Sequence, residues 1–104
     1  IISDLCAQMV GGLGFACSGN IGDGLAVFEP THGSAPKYKG QYRVNPIATI
    51  LAAKMMLAWL GEQEKAQKLD QTVAEVIREG QVRTYDMGGV NKTLEMAETI
   101  AEKL

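Results

Sequence analysis

Cysteine, histidine and proline are scarce in this 104-residue chain, with two, one and three copies. Cys6 and Cys17 form no CxxC pair, and with one histidine they fall short of the usual zinc ligand sets. One disulfide or two thiols would both satisfy the count, but a Met-rich sequence without a secretion signal is expected in a reducing cytoplasm. Basic charge is not in excess either. Ten Lys and Arg against twelve Asp and Glu give a net charge of −2, which argues against a general nucleic-acid or membrane-surface binder. The longest apolar run, near residues 46–60, is shorter than the roughly 20 residues of a membrane span. Repeats and low-complexity tracts are absent, and so are the G-x-G-x-x-G and G-x-x-x-x-G-K-[ST] spacings of the Rossmann and P-loop nucleotide sites. With 46% hydrophobic residues, a single domain with a core is feasible. The first residue is Ile1, so the chain is expected to be a processed product or a piece of a longer protein.

Hydrophobic periodicity predicts about four helices. Residues 3–13 carry Leu5, Met9, Val10 and Leu13 on one stripe, with Ser3 as the expected N-cap and Asp4 in the first turn, where a carboxylate favours the helix dipole. Residues 14–24, including Ser18-Gly-Asn-Ile-Gly-Asp-Gly24, read as a glycine-rich connection; such a segment can offer backbone N–H groups to an anion, but turn-making is the simpler role. Leu25-Ala-Val-Phe28 suits one short buried strand. A lone strand must pair with strands outside the chain or not be a strand at all. Pro46 fits the first position of a helix that Asn45 would cap, and its residues up to Leu60 are apolar nearly all the way round, which predicts burial on every side. Gly61 ends it. Residues 62–79 are amphipathic and stop at Gly80. After an irregular segment at 82–89, a last helix follows, capped by Asn91 or Thr93.

The stretch from Phe28 to Pro46 holds the only histidine, all three prolines and two of the three tyrosines. A polar loop this long is uncommon in a compact domain unless it binds something. Gly33, Ser34 and Ala35 are small enough for close approach of a flat ligand, and Pro36 stiffens the bend. Lys37 suits a phosphate, Tyr38 adds a ring and a hydroxyl, and His32 adds an aromatic face and two ring nitrogens. Asn45 pairs a donor with an acceptor, as needed to read an adenine edge. Singly, each has a plainer role: a loop histidine is commonly a structural hydrogen-bonder, and Lys37, Lys39 and Arg43 would be a solvated surface. In combination they suit an adenosine phosphate.

The strings Gly19-Asn-Ile-Gly-Asp23, Val27-Phe-Glu-Pro-Thr-His-Gly-Ser-Ala-Pro36, Val44-Asn-Pro46 and Met55-Met-Leu57 resemble the C-terminal third of the metal-dependent β-decarboxylating dehydrogenases, the isocitrate, 3-isopropylmalate, homoisocitrate and tartrate enzymes. The resemblance runs through all 104 residues in order. It implies an α/β fold of the isocitrate/isopropylmalate dehydrogenase type, with residues 1–104 forming the C-terminal portion of one cofactor-binding domain. It also implies oxidation of a 2-hydroxy acid by NADP or NAD, then decarboxylation assisted by Mg²⁺ or Mn²⁺ as Lewis acid. Asp4 would be the second of two metal-binding aspartates four residues apart; the first, the catalytic lysine and tyrosine, and the substrate-binding side chains lie upstream in the family. His32 to Tyr38 and Asn45 match the adenosine-binding segment, and Glu29 a position near the nicotinamide ribose. Lys37 and Tyr38 stand where NAD-using members tend to carry Asp and an aliphatic residue, and Tyr85 matches a contact to the 2′-phosphate of NADP; Gly88-Gly89 instead resembles the NAD-linked branches. The expectation is an NADP-linked isocitrate dehydrogenase acting as a homodimer. A non-enzymatic adenine-nucleotide module and a helical packing domain with a vestigial loop are the alternatives of other classes.

Overall fold

A computed structural model describes all residues, Ile1 to Leu104. The chain runs α1 (Ile2–Met9), β1 (Cys17–Ile21), β2 (Ala26–Pro30), α2 (Ile47–Trp59), α3 (Gln63–Glu79) and α4 (Thr93–Lys103), with one-turn 3₁₀ segments at Pro36–Tyr38 and Tyr85–Met87. Four helices lie where periodicity predicts them. α1 begins a residue early, so Ser3 sits inside the first turn and no side chain caps the helix. It also ends at Met9, short of Leu13.

Residues 17–21 of the glycine-rich segment form a strand, which corrects its reading as a connection, while residues 22–24 make the turn. β1 pairs antiparallel with β2, in a register that sets Cys17 opposite Pro30 and Ile21 opposite Ala26. The strand at residues 26–30 therefore finds its partner within the chain. Propensity conceals β1, because Ser, Gly and Asn are weak strand formers. Packing favours it: Gly19 faces Phe28 across the ladder, and a Cβ at Gly19 would lie 3.1 Å from the Phe28 ring and 3.2 Å from the Met55 methyl. The missing side chain is what lets the ring and α2 close over the hairpin.

α2 lies against both strands on one side and α3 on the other, and α3 packs on α4. The core is Ile47, Val73, Val76, Met96 and Ile100, one residue or two from each of α2, α3 and α4. Each such side chain stabilises the fold by about 1.5–3 kcal/mol through burial. α2 is apolar all round, yet its C-terminal end is not covered: Met56, Trp59 and Leu60 are exposed. No helix is long and apolar enough to cross a membrane.

The polar loop is tied down at both ends. Thr31 N–H and Oγ1 donate to the Ala16 carbonyl, extending the hairpin. Downstream, Pro46 is the N-cap of α2 rather than its first residue, and Asn45, one residue ahead, accepts the Ile47 N–H on its Oδ1 at 3.0 Å. Thr93, expected as a cap, instead binds α4 to the loop: its N–H donates to the Tyr42 carbonyl and its hydroxyl to that of Val44. The α4 N-terminus is closed by Glu95, which accepts from the Lys92 N–H and the Asn91 side chain.

Candidate functional site

Three loops converge beside the N-terminus of α2: residues 11–14 after α1, the loop from His32 to Asn45, and the turn at Tyr85–Met87. They enclose a cleft of about 420 Å³, within the range of small-molecule sites. His32, Gly33, Ala35, Asn45 and Tyr85, all singled out in the sequence, share its lining with Gly14 and Asp86.

Asn45 is 2% exposed and works in two directions. Its Oδ1 accepts the Ile47 N–H of α2, and its Nδ2 donates to Asp86 Oδ2 at 3.1 Å. Asp86 also accepts from the hydroxyl of Thr84, a fully buried residue. Gly14 makes room for this contact, since a Cβ there would collide with Asp86 Oδ2. The Gly14 carbonyl accepts from the Ala48 N–H at 3.0 Å, fixing the cleft floor to α2. The Asn45 amide is thus already committed on each side to the protein, leaving one N–H and one lone pair for a ligand.

His32 Nδ1 lies 2.9 Å from the Gly33 carbonyl oxygen. A carbonyl only accepts, so Nδ1 carries the proton of this contact. Nε2 is buried and has no partner. A ring nitrogen without a partner, in a residue that lines the cleft, is a polar group left for a bound base edge to satisfy.

Pro36 to Tyr38 form the 3₁₀ turn beside the cleft, entered through Ala35 in a left-handed conformation. The Tyr38 and Tyr85 rings lie 5.5 Å apart and tilted. The Arg43 guanidinium is 4.8 Å from one ring centroid and 5.0 Å from the other, and Lys37 Nζ is 5.5 Å from Tyr38. Burial, then the neighbouring Tyr38 phenol and Asp86 carboxylate, raise the Tyr85 pKa above 10.0, with Arg43 opposing. Tyr85 is therefore a neutral phenol at neutral pH, with a hydroxyl proton to donate.

Ser34 is an exposed loop residue and Glu29 an exposed residue of β2; neither lines the cleft. Asp4 is exposed in the first turn of α1, and no group of three or more His, Cys, Asp or Glu side chains is placed to hold a metal ion. A divalent cation takes six or more oxygen ligands, or keeps water in some places, so Asp4 alone does not make such a site. Sequence reading missed Gly14, Arg43 and Asp86. No local spacing signals them, because Asp86 meets Asn45 across 41 residues.

Comparison with solved structures defines the class. The chain superposes on the isocitrate dehydrogenase of Methylococcus capsulatus with a TM-score of 0.93 and 41% identity, covering 98% of this chain and 31% of that one. It is 52% identical over 104 residues to the isocitrate/homoisocitrate dehydrogenase of Thermus thermophilus, and 50% identical to the 3-isopropylmalate/3-methylmalate dehydrogenase of Methanocaldococcus jannaschii, covering all of this chain and 31% of each. The profile of the isocitrate/isopropylmalate dehydrogenase family matches residues 1–100. The chain belongs to that family, and it spans about a third of the length of the curated relatives it matches.

Proposed function

We propose that this chain is the cofactor-gripping C-terminal segment of an NADP-linked isocitrate dehydrogenase, a homodimeric cytoplasmic enzyme that converts isocitrate to 2-oxoglutarate. The family uses NAD or NADP with a divalent metal. The observation that carries the reading is the cleft itself, which gathers His32, Gly33, Ala35, Asn45 and Tyr85 beside the Lys37-Tyr38 turn. Adenine fits against His32 and the small residues that follow it. The neutral Tyr85 hydroxyl, Tyr38 and Lys37 supply donors and positive charge for a 2′-phosphate, where an acidic side chain would repel one. Mg²⁺ or Mn²⁺, when bound, polarises the keto intermediate; Asp4 would give it one carboxylate. The two free thiols suit a reducing compartment.

The glycine pair at 88–89, the feature that favours NAD, also has a backbone explanation. Gly88 has φ 81°, and a Cβ on Gly89 would collide with the Arg83 carbonyl. Both positions select glycine whichever dinucleotide binds.

Calorimetric titration of NADP and NAD tests the proposal. NADP should bind more tightly, and Lys37→Asp combined with Tyr38→Ile should weaken it by about 10- to 100-fold, the effect of losing a charge-assisted contact. Tighter binding of NAD, or an unchanged preference in the double variant, would rule out NADP. Titration of nucleotide without any isocitrate-dependent NADPH formation is expected of these 104 residues, since the groups that move protons lie upstream in the family.

A further inference from the structure

Two cations, Lys37 and Arg43, lie at the Tyr38–Tyr85 corner, and only Arg43 touches both rings. The chain's ion pairs engage Lys54, Lys65 and Lys103. Arg43 is in none of them, and its side chain makes no hydrogen bond within the chain. Its guanidinium nevertheless lies against both tyrosine rings. Its planar fork of five N–H donors thus stacks on the rings, exposed and without a partner in the chain.

Tyr85 is a wall between two clefts. On one side is the cleft of His32 and Asn45, which also contains the Asp86 carboxylate. On the other is a cleft of about 520 Å³ lined by Arg43, Lys92 and Asn91, with no acidic side chain. A dianion crossing Tyr85 leaves the carboxylate behind and meets two cations. The Asn91 amide is already occupied, accepting from the Arg83 N–H and donating to Glu95, and the Lys92 charge acts on Glu95. Of the two cations there, Arg43 alone is braced by aromatic rings.

We infer that Arg43 is a cofactor-specificity residue: held between Tyr38 and Tyr85, its guanidinium takes the 2′-phosphate of the dinucleotide. The inference rests on the NADP reading above. It assigns the phosphate to the Arg43 side of Tyr85 and gives the two rings the task of pre-ordering the fork, so that less side-chain freedom is lost on binding.

Calorimetry with adenosine 2′,5′-bisphosphate and 5′-AMP separates the inference from the reading it rests on. The unaltered chain should prefer the bisphosphate. Arg43→Met, matched by circular dichroism to the parent, should lose about 10- to 100-fold in bisphosphate affinity and leave 5′-AMP within about twofold. Arg43→Lys keeps the charge without the planar fork and should fall between the two. A bisphosphate preference that survives Arg43→Met would overturn the inference and leave NADP standing. Equal losses for both nucleotides would also overturn it, showing Arg43 to be only a brace for the tyrosines. No preference in the unaltered chain would remove the NADP reading and this inference with it.

Discussion

Ala35 and Tyr42 hold left-handed backbone conformations, with φ 46° and 52°, at two points of the loop that shapes the cleft. A residue with a Cβ costs about 1–2 kcal/mol there. Such strain persists where the surroundings over-determine it, and here Thr93 anchors the Tyr42 carbonyl while the Pro36–Tyr38 turn follows Ala35. Replacing Ala35 by Gly should relieve the strain and raise stability by up to about 1 kcal/mol, offset in part by the greater freedom of the unfolded chain. It should also loosen the turn and weaken nucleotide binding. Urea unfolding and titration would check the two effects; a variant both less stable and tighter-binding would contradict the account. Asn45 is the opposite case, a residue fixed by hydrogen bonds. Asn45→Ala removes the acceptor of the Ile47 N–H and leaves Asp86 without its amide partner, so unfolding should become easier by about 2 kcal/mol. Asn45→Asp should be worse, because it sets a second carboxylate against Asp86. At this scale His32, Gly33, Ala35 and Asn45 were legible, because their chemistry sits within one short string. Arg43 and Asp86 were not, because what makes them matter is the ring or amide they meet from another part of the chain.

Elements were legible where one face carries the pattern and illegible where a partner supplies it. α3 announces itself through its apolar stripe and its Gly80 stop, and the structure ends it at Glu79 with Gly80 left-handed. β1 has no such pattern; its register comes from Phe28 and α2 lying over Gly19. α4 has a pattern and two ionic ends, which make its stability pH-dependent. At the N-terminal end, hydrogen bonds from the Asn91 side chain and the Lys92 backbone lower the Glu95 pKa below 4.5. A lowered carboxylate stabilises the fold above its unfolded pKa, and that support is lost as pH falls from about 4.5 through the folded value. At the other end, the hydrogen bond to Glu79 raises the Lys103 pKa above 10.5. That support is complete below the unfolded value and disappears as pH rises through the folded one. Tyr85 adds to the alkaline side: its pKa is raised, so the unfolded state gives up the proton first and stability declines from about pH 10 upward. Thermal melts across pH should show both limbs. Glu95→Gln should flatten the acid limb alone, whereas Lys103→Met and Tyr85→Phe should each flatten part of the alkaline one. An acid limb unchanged by Glu95→Gln would show that the cap does not carry it.

Across the whole molecule, only 13 of 104 residues are buried, too few for a chain of this length to be firmly stable by itself. The apolar residues left outside are concentrated rather than scattered. Ile1, Ile2, Leu5, Met9 and Val10 expose the face of α1; Ile21, Leu25 and Val27 do so on the hairpin; Trp59 and Leu60 do so at the end of α2. Isolated apolar residues on a surface are ordinary, but contiguous ones mark contact surfaces. The amphipathic stripe of α1 was readable in the sequence, yet no element of the chain covers it; of its eight residues only Ala7 is buried. Periodicity reports that a helix has an apolar face, and only packing shows what meets that face. This surface sets an expectation for the 104 residues in solution. They should bind an apolar dye and sediment as concentration-dependent associated species in the tens of micromolar. Replacing Leu5 and Met9 together by Gln should reduce both signals without lowering the melting temperature, because neither side chain belongs to the core. A chain that sediments as a single monomeric species and binds no dye would show that these faces are satisfied in a way the folded chain does not contain. A melting temperature lowered by the double substitution would place α1 among the elements that hold the fold, rather than among those that wait for a partner.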